Sequence, residues 1–402
     1  RWYRRRQRQM CIRDRGNAAS LKMRQQNRRD AVSPGSGGMK ALCITSQTDT
    51  LNSIRPEAET LIGLARAGVD MSVMTQGDSV YAEPMREAGI RVVDYAPEKK
   101  FDREAIRIIR EELVVHRHDI LHLFNNKAIA NGVIAARDSA VKVITYRGQT
   151  GNVHRYDPIA WMTHLSPRID RIICVANSVR DDLRIRRRDP EHVVTIYKGH
   201  DLAWYQDEPA DLAALGVPDG AFTVAVVANY RPRKGIEYVV DAARYLPRGV
   251  PVHFLLVGAD LDRPELARRI AASPVPDQFH LLGFRRDAPA ITAACDTSIL
   301  ASVKREGLPK TVIESMVYAV PPVVTDTGGS AELVVHGECG LVVPPRDPAA
   351  IAEALMYLWE HPAEREAMGR KARERIDREF NIKTTIAETL ALYEDAVSEG
   401  PA

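Results

Sequence analysis

The sequence predicts an α/β protein built from two doubly wound domains that face each other across a cleft. At 402 residues the chain is long enough for two domains of ordinary size. From residue 39 onward, short apolar runs alternate with longer helical segments, a pattern typical of parallel sheets covered on both faces. A segment rich in Asp, Pro and Gly at 201–220 interrupts the series once. Two such sheets would place a ligand cleft at their carboxyl ends.

The first predicted domain, 39–205, contains seven short apolar runs that read as strands. These runs are 41–45, 71–75, 90–95, 120–124, 142–146, 172–176 and 193–197. Helical periodicity separates many of them, and the predicted helices are 55–67, 81–88, 102–117 and 178–184. The first domain is therefore expected to be Rossmann-like.

The second predicted domain, 206–380, repeats the strand–helix series. Its predicted strands are 223–228, 252–257, 280–282, 297–301 and 322–325, and its predicted helices are 236–245, 265–272, 288–294, 309–318, 349–360 and 364–379. The remaining segment, 381–402, is predicted to be a helix. Its apolar residues Ile386, Leu390 and Tyr393 form a stripe that needs a surface to cover.

The net charge of +3 hides an uneven distribution. Residues 1–38 hold eleven of the 56 Lys and Arg residues and two of the 53 Asp and Glu residues, which leaves 45 basic and 51 acidic residues in the rest of the chain. A basic arm for nucleic acid or anionic lipid is one interpretation. We prefer a disordered, non-native extension, because 1–38 lacks any helical or strand period and Met39 leads directly into a strand.

Glu306 and Glu314 are the most informative residues, because they flank the start of a predicted helix that follows a buried strand. Unpaired backbone N–H groups at a helix start suit a phosphate or sugar oxygens. A carboxylate in the loop can accept hydrogen bonds from sugar hydroxyls, and one on the helix can bind a ribose. The bare spacing by itself favours two solvated glutamates on an amphipathic helix, so the surrounding motifs decide.

Those motifs resemble the retaining glycosyltransferases of family 4, which have the GT-B architecture. The resemblance runs through an ordered series of matches over some fifty residues: Ser302, Glu306-Gly307-Leu308-Pro309, Glu314-Ser315-Met316, Pro321-Pro322-Val323-Val324, Gly328-Gly329-Ser330-Ala331-Glu332-Leu333-Val334 and Gly340-Leu341-Val342-Val343-Pro344. It implies a nucleoside-diphosphate sugar as donor, a glycan or glycolipid hydroxyl as acceptor, and a role in lipopolysaccharide or other cell-envelope glycan synthesis. It also implies that the first domain lies on the acceptor side of the cleft and that the second domain binds the nucleotide sugar. The last helix is expected to cross back onto the first domain.

The resemblance assigns roles to a subset of residues inside and outside this series. Glu306 would hold hydroxyls of the donor sugar, and Lys234 with Arg231 or Arg233 would stabilise the departing diphosphate. The further residues expected at the donor are Glu314 at the ribose, Gly307, Leu308 and Pro309 beside Glu306, and Gly258, Gly283 and Phe284 in turns under the base.

Three departures from the family pattern leave parts of the site open. Asn229 stands where the family usually has an arginine, and Arg147 stands where many members have a histidine near the donor sugar. Arginine stays protonated and cannot act as a base, but it can bind an anionic acceptor or the diphosphate. His122 and His154 are spare imidazoles nearby in the sequence, and a contact with the acceptor or a phosphate is considered for them as well. The loop 46–49 lacks the glycines that family members often have there.

No cofactor or metal is expected. The triplet Asp260-Leu261-Asp262 matches a metal-binding pattern of other glycosyltransferases, but acids that cap the following helix are the preferred interpretation. The five scattered cysteines fit a reducing cytoplasm. The expected partners are the donor and the acceptor, with peripheral contact at the inner membrane face and no nucleic acid. The alternatives are a nucleotide-sugar epimerase of the same fold and a non-catalytic nucleotide-sugar-binding homologue.

Overall fold

Two parallel sheets organise residues 39–402, which form one compact unit in the computed structural model. The structure describes residues 38–47 and 51–400, with only the backbone of residues 51 and 52. The expectations for the extension at 1–38 therefore fall outside the described residues, apart from Gly38, and so does the second half of the loop 46–49.

The first sheet has seven strands in the order β3-β2-β1-β4-β5-β6-β7. Its strands are β1 (Lys40–Ile44), β2 (Asp70–Thr75), β3 (Arg91–Asp94), β4 (Ile120–Leu123), β5 (Lys142–Arg147), β6 (Arg171–Cys174) and β7 (Val193–Thr195). Its helices are α1 (Leu51–Arg66), α2 (Ala82–Glu87), α3 (Arg103–His116), α4 (Asn126–Ala135), α5 (Pro158–Trp161) and α6 (Asn177–Arg184). Buried apolar clusters cover both faces, as expected for a sheet with near-continuous apolar strands.

The second sheet has six strands in the order β10-β9-β8-β11-β12-β13. Its strands are β8 (Phe222–Val227), β9 (Val252–Val257), β10 (Phe279–Gly283), β11 (Thr297–Leu300), β12 (Pro322–Thr325) and β13 (Leu341–Val343). Its helices are α7 (Ile236–Ala242), α8 (Pro264–Ala271), α9 (Ala288–Ala294), α10 (Lys310–Val317), α11 (Ser330–Leu333), α12 (Pro348–Glu360) and α13 (Pro362–Glu379). The predicted pair of doubly wound parallel sheets is confirmed.

The chain passes between the two sheets twice, and the two passages are hydrogen-bonded to each other. The backbone N–H of His200 donates to the carbonyl of Phe380 (2.7 Å), and that of Ile382 donates to the carbonyl of His200 (3.0 Å). The last helix, α14 (Ile382–Ser398), follows the second passage and packs on the first sheet. Its Tyr393 is completely buried there, so this helix covers a face of the sheet it returns to.

Candidate functional site

Lys234 and Glu306 meet at the point where the strand order of the second sheet reverses. The connections after β8 and β11 leave that point in opposite directions, which opens a crevice at the carboxyl ends of the two strands. Lys234 ends the short 3-10 turn Pro232–Lys234 after β8, and Glu306 lies in the loop after β11. The topology therefore brings together two residues that are 72 positions apart in sequence.

Glu306 is buried and already surrounded by donors. Its Oε1 lies 2.7 Å from Nζ of Lys234 and accepts a hydrogen bond of 2.6 Å from Oγ of Ser302. Arg305, the residue before it, has a φ of 61°, a left-handed conformation that is uncommon outside glycine. An ammonium has three donors and a carboxylate has several acceptor positions, so both groups keep capacity for a sugar hydroxyl or a phosphate.

Of the two arginines predicted beside Lys234, Arg233 is the one that lies at Glu306. Its Nη1 is 3.8 Å from Oε1 of Glu306 and donates to the carbonyl of Arg305 at 3.4 Å. Arg231 precedes the 3-10 turn, and its side chain is exposed. The placement favours Arg233 as the second cation of the crevice.

Glu314 is buried on α10, the helix that follows the loop of Glu306. Its Oε1 is 3.0 Å from Nζ of Lys310, one turn earlier on the helix. Pro309 is the residue at the helix N-cap position. Leu308 packs against the hydrophobic cluster of the first sheet, so the loop that carries Glu306 also contacts the opposite domain.

The loops that follow β8, β9 and β10 form the neighbouring wall. Oδ1 of Asn229 accepts a hydrogen bond of 2.9 Å from the N–H of Ala259, and the N–H of Gly258 donates to the carbonyl of Gly283 at 2.8 Å. A β-carbon on Gly258 would lie 2.1 Å from the carbonyl oxygen of residue 228, so only glycine fits. The ring of Phe284 is 61% exposed beside these turns. Asn229 thus joins two loops instead of supplying a charge.

Backbone contacts close the crevice from the side of the first sheet. A β-carbon on Gly307 would lie 1.9 Å from the carbonyl oxygen of Gly148, which follows β5. A β-carbon on Gly329 would lie 2.0 Å from the carbonyl oxygen of Gly307 and 3.0 Å from Cβ of Ala176. Gly148, Gly307 and Gly329 are therefore stacked where the two domains touch, and neither Gly307 nor Gly329 has room for a side chain.

Glu332 is a functional candidate that the sequence interpretation quoted only as part of a motif. It lies on α11, which follows the second sheet, and its two carboxylate oxygens accept hydrogen bonds of 2.7 Å from the backbone N–H groups of Asn177 and Ser178. These groups begin α6, which belongs to the first sheet. The hydroxyl of Tyr197 donates to the same carboxylate at 3.0 Å. Glu332 thus caps a helix of the opposite domain.

Arg147 is buried at the edge of this contact, and its guanidinium is engaged with protein groups. Nη1 lies 3.1 Å from Nε2 of His164, and Nη2 donates to the carbonyl of Gly151. Burial lowers the pKa of Arg147 and lowers the pKa of His164 to about 3. His164 also lies 3.0 Å from Oδ1 of Asn126. Sequence reasoning missed His164, which lies in a short buried segment between α5 and β6.

The two histidines named with Arg147 lie elsewhere. His122 is buried in β4, with Nδ1 2.7 Å from the hydroxyl of Tyr393, and it lines a small cavity together with Glu57 and Lys198. Burial raises the pKa of Glu57. His154 is exposed on the loop before α5. Neither imidazole joins the group formed by Lys234 and Glu306 in the structure.

No group of three or more His, Cys, Asp or Glu side chains within residues 38–47 and 51–400 is arranged to hold a metal ion. In the Asp260–Asp262 triplet the middle leucine is buried, and Oδ1 of Asp260 lies 3.7 Å from Arg263. The expectation that these acids cap the next helix is wrong, because α8 has Arg263 at its N-cap and no side-chain cap. Both aspartates are exposed and lie in a surface turn, where Asp260 has a φ of 62°.

The fold and the crevice define a GT-B protein with two facing Rossmann-like domains. The crystal structure of a glycosyltransferase from Rickettsia africae matches with a TM-score of 0.76 at 16% identity, over 90% of this chain and 100% of that one. The crystal structure of Anabaena HepE in complex with UDP matches with a TM-score of 0.71 at 22% identity, over 88% of this chain and 100% of that one.

The sequence comparisons name the family. The model for glycosyl transferases group 1 matches residues 207–375, and the model for glycosyltransferase family 4 matches residues 58–204. The chain belongs to these group 1 and family 4 glycosyltransferases. The D-rhamnosyltransferase WbpZ of Pseudomonas aeruginosa is 31% identical over 55% of this chain, and the alpha-D-kanosaminyltransferase of Streptomyces kanamyceticus is 29% identical over 54% of it. These matches span 57% and 58% of the two relatives.

Proposed function

We propose that the protein is a retaining glycosyltransferase that transfers a sugar from a nucleoside-diphosphate sugar to an acceptor hydroxyl in cell-envelope glycan synthesis. The observation that carries this proposal is the ion pair between Lys234 and Glu306 at the switch point, under a loop of the opposite domain. Family membership supports the reaction class. The relatives named for rhamnosyl and kanosaminyl transfer support a hexose-like donor.

In the proposed reaction the bond between the anomeric carbon and the diphosphate breaks, and the acceptor oxygen bonds to the anomeric carbon on the same face. Lys234 and Arg233 stabilise the negative charge that grows on the leaving phosphate. The leaving phosphate takes the acceptor proton, so no side-chain base is required and Arg147 need not act as one. Glu306 orients the donor sugar through its hydroxyls, and Glu314 binds the ribose.

We propose that the acceptor is a glycan or glycolipid and that the enzyme works at the inner membrane face as a peripheral protein. None of the helices in the part of the chain that the structure describes is long and apolar enough to cross a bilayer. Charge for the diphosphate comes from side chains and a helix start in this proposal, so the reaction requires no metal or other cofactor.

A panel of nucleoside diphosphates and their sugars tests the function. A ligand that binds only the folded state raises the melting temperature, so one base and one sugar should stand out in a thermal-shift screen. The selected sugar nucleotide should then release free nucleoside diphosphate during hydrolysis or transfer. Binding without release would favour the non-catalytic homologue, and an altered sugar that stays on the nucleotide would favour the epimerase. Either outcome contradicts the proposal.

A further inference from the structure

Four of the exposed apolar side chains of the first domain lie in two segments that are joined by hydrogen bonds: Tyr156, Ile159, Met162 and Ile185. Their exposed fractions are 100%, 49%, 46% and 68%. The first three lie on or beside α5, and the fourth follows α6. Soluble proteins seldom group so many large apolar side chains on one surface unless that surface binds something.

Hydrogen bonds join the two segments into one surface. Nε of Arg155 donates to the carbonyl of Arg186 at 3.0 Å, and Nη2 donates to the carbonyl of Ile185 at 2.7 Å. The indole N–H of Trp161 donates to the carbonyl of Arg155 at 2.8 Å, and Cζ of Arg188 lies 5.4 Å from the centroid of the Trp161 ring. The two segments therefore present their apolar side chains together.

Positive charge surrounds these side chains. Residues 184–188 contain four arginines, and Arg155 and Arg188 are both exposed. The nearby acids are engaged: Asp157 accepts the N–H of Ile159 at the start of α5, and Asp182 pairs with Arg186 at 2.7 Å. Arg187 is buried and pairs with Asp189, so the exposed positive charge of this surface comes from Arg155 and Arg188. Apolar and aromatic side chains beside two exposed guanidinium groups match a surface of lipid tails under anionic headgroups.

The surface lies directly beside the crevice. The loop that leads into this surface contains Gly151. Its carbonyl accepts a hydrogen bond from Nη2 of Arg147, and a β-carbon added to Gly151 would lie 3.5 Å from Nε of Arg305. Arg305 precedes Glu306 on the opposite domain. A bilayer that contacts Tyr156 and Ile185 would thus hold a membrane-embedded acceptor near the mouth of the proposed active site.

We infer that the surface formed by Arg155–Met162 and Ile185–Arg188 docks the protein on a bilayer that carries anionic phospholipids. This inference rests on the proposed function for the identity of the acceptor, but the surface itself follows from exposure and charge. Apolar side chains enter the interface and arginines contact headgroup phosphates, so the binding has an apolar part and a salt-sensitive part.

Sedimentation with vesicles tests the inference. The full chain should sediment with vesicles that contain one third phosphatidylglycerol, should bind pure phosphatidylcholine about tenfold more weakly, and should partly detach at high salt. The double variant Ile159→Ser/Ile185→Ser and the variant Arg188→Glu should each lose binding by about tenfold. Arg155 is left unchanged because its guanidinium holds two backbone carbonyls.

Matched controls come from α3 in the same domain. Val114 and Val115 are 69% and 70% exposed there, and Arg110 is exposed one turn earlier. Val114→Ser/Val115→Ser and Arg110→Glu should bind vesicles like the wild type. The inference is overturned if the wild type stays in the supernatant or if the surface variants bind as it does. It is also overturned if light scattering shows a dimer that those variants convert to monomers.

A second readout separates this inference from the proposed function. Release of nucleoside diphosphate from the donor, without any lipid, should be the same in the surface variants as in the wild type. Glu306→Gln should lose that release and keep vesicle binding. Vesicle binding with no donor turnover would support the surface and contradict the enzyme, and turnover without binding would do the reverse.

Discussion

Gly307 and Gly148 meet across the cleft so closely that a β-carbon on Gly307 would lie 1.9 Å from the carbonyl oxygen of Gly148. The converse is not true, because a β-carbon on Gly148 would have Tyr146 as its nearest neighbour, at 3.8 Å. The contact therefore constrains one of the two glycines. Gly307 is also the residue after Glu306, so the approach of the first domain is coupled to the position of the proposed sugar-binding carboxylate.

The first prediction concerns that asymmetry. Gly307→Ala should lower kcat/KM by about tenfold to a hundredfold, because the added methyl group pushes the opposite domain away and a misplacement of about 1 Å costs that much. Gly148→Ala is the matched control and should stay within a few fold of the wild type. Steady-state kinetics of donor turnover measure both. Equal losses in the two variants would contradict this account of the contact.

A second prediction concerns the cap that Glu332 provides for α6. Glu332→Ala removes the acceptor of two backbone N–H groups, and loss of a helix cap costs about 0.5–2 kcal/mol of unfolding free energy. Glu332→Gln keeps one acceptor oxygen and should lose less. Urea denaturation measures the stability, and small-angle scattering measures whether the domains separate. Because the cap joins two domains, Glu332→Ala should increase the radius of gyration while Glu332→Gln stays close to the wild type.

An exposed glutamate, Glu265, provides the control for the Glu332 variants. Glu265 lies exposed on α8, so Glu265→Ala should change neither the free energy of unfolding nor the radius of gyration. A radius of gyration that is the same in Glu332→Ala and Glu265→Ala would show that the carboxylate stabilises α6 locally without holding the two domains together.

The third prediction tests the proposed catalytic pair. Glu306→Gln and Lys234→Ala should each lower the rate by about 10²–10³ while the protein stays folded, because each removes a charge positioned on the donor. The double variant should be little worse than either single variant, since the two groups lie 2.7 Å apart and act as a unit. Donor turnover gives the rates and circular dichroism confirms folding. Lys371→Ala, an exposed lysine on α13, is the control.

Much of the fold could be predicted because burial leaves a period in the sequence. Strands such as β9 and β12 are buried along their whole length and read as mainly apolar runs. Helix α4 was missed, because Asn131 and Gly132 are weak helix formers and hide its period. The structure explains why these two residues stand in the helix. The Asn131 amide donates to the carbonyl of Lys99 and accepts from the N–H of Asp102, and the side chain of Leu123 fills the space beside Gly132.

Residues of the candidate site could be predicted only where they belong to a recognisable sequence motif. Lys234 and Glu306 were paired by family resemblance, and the strand order explains why they meet. The role of Glu332 could not be predicted, because its partners are backbone N–H groups, which leave no mark in the sequence. The choice between Arg231 and Arg233 likewise depends on the path of a 3-10 turn that no local pattern specifies.

The fourth prediction concerns the stability of the folded protein at acidic pH. Burial lowers the pKa of His122 to about 3, below its ordinary value of about 6.5. Between these values the unfolded chain binds a proton that the folded chain does not, so stability is full above pH 6.5 and falls as the pH drops. The loss is about 1.4 kcal/mol between about pH 7.5 and 5.5 for one such histidine. Buried His164 and His200, whose pKa values are also lowered to about 3, add to it.

Urea denaturation at the two pH values measures this loss. His122→Gln should be less stable at pH 7.5, because Tyr393 loses its partner, but its stability should fall less on acidification than that of the wild type. His154→Gln is the control, because that side chain is exposed in the folded protein. The explanation would be wrong if His122→Gln and the wild type lost the same free energy of unfolding on acidification.

The last prediction is that transfer needs no added metal. Lys234 and Arg233 lie beside Glu306, and α10 begins three residues beyond Gly307, so positive charge for a diphosphate is available from the protein itself. Activity should therefore survive excess chelator. Asp262→Asn should also leave the rate unchanged, since that aspartate lies exposed in a surface turn. If chelation stops turnover and magnesium or manganese restores it, the diphosphate is bound in another way. Asp260→Asn would then be the first variant to assay, because the Asp260 carboxylate is exposed, 3.7 Å from Arg263, and accessible to an incoming ion.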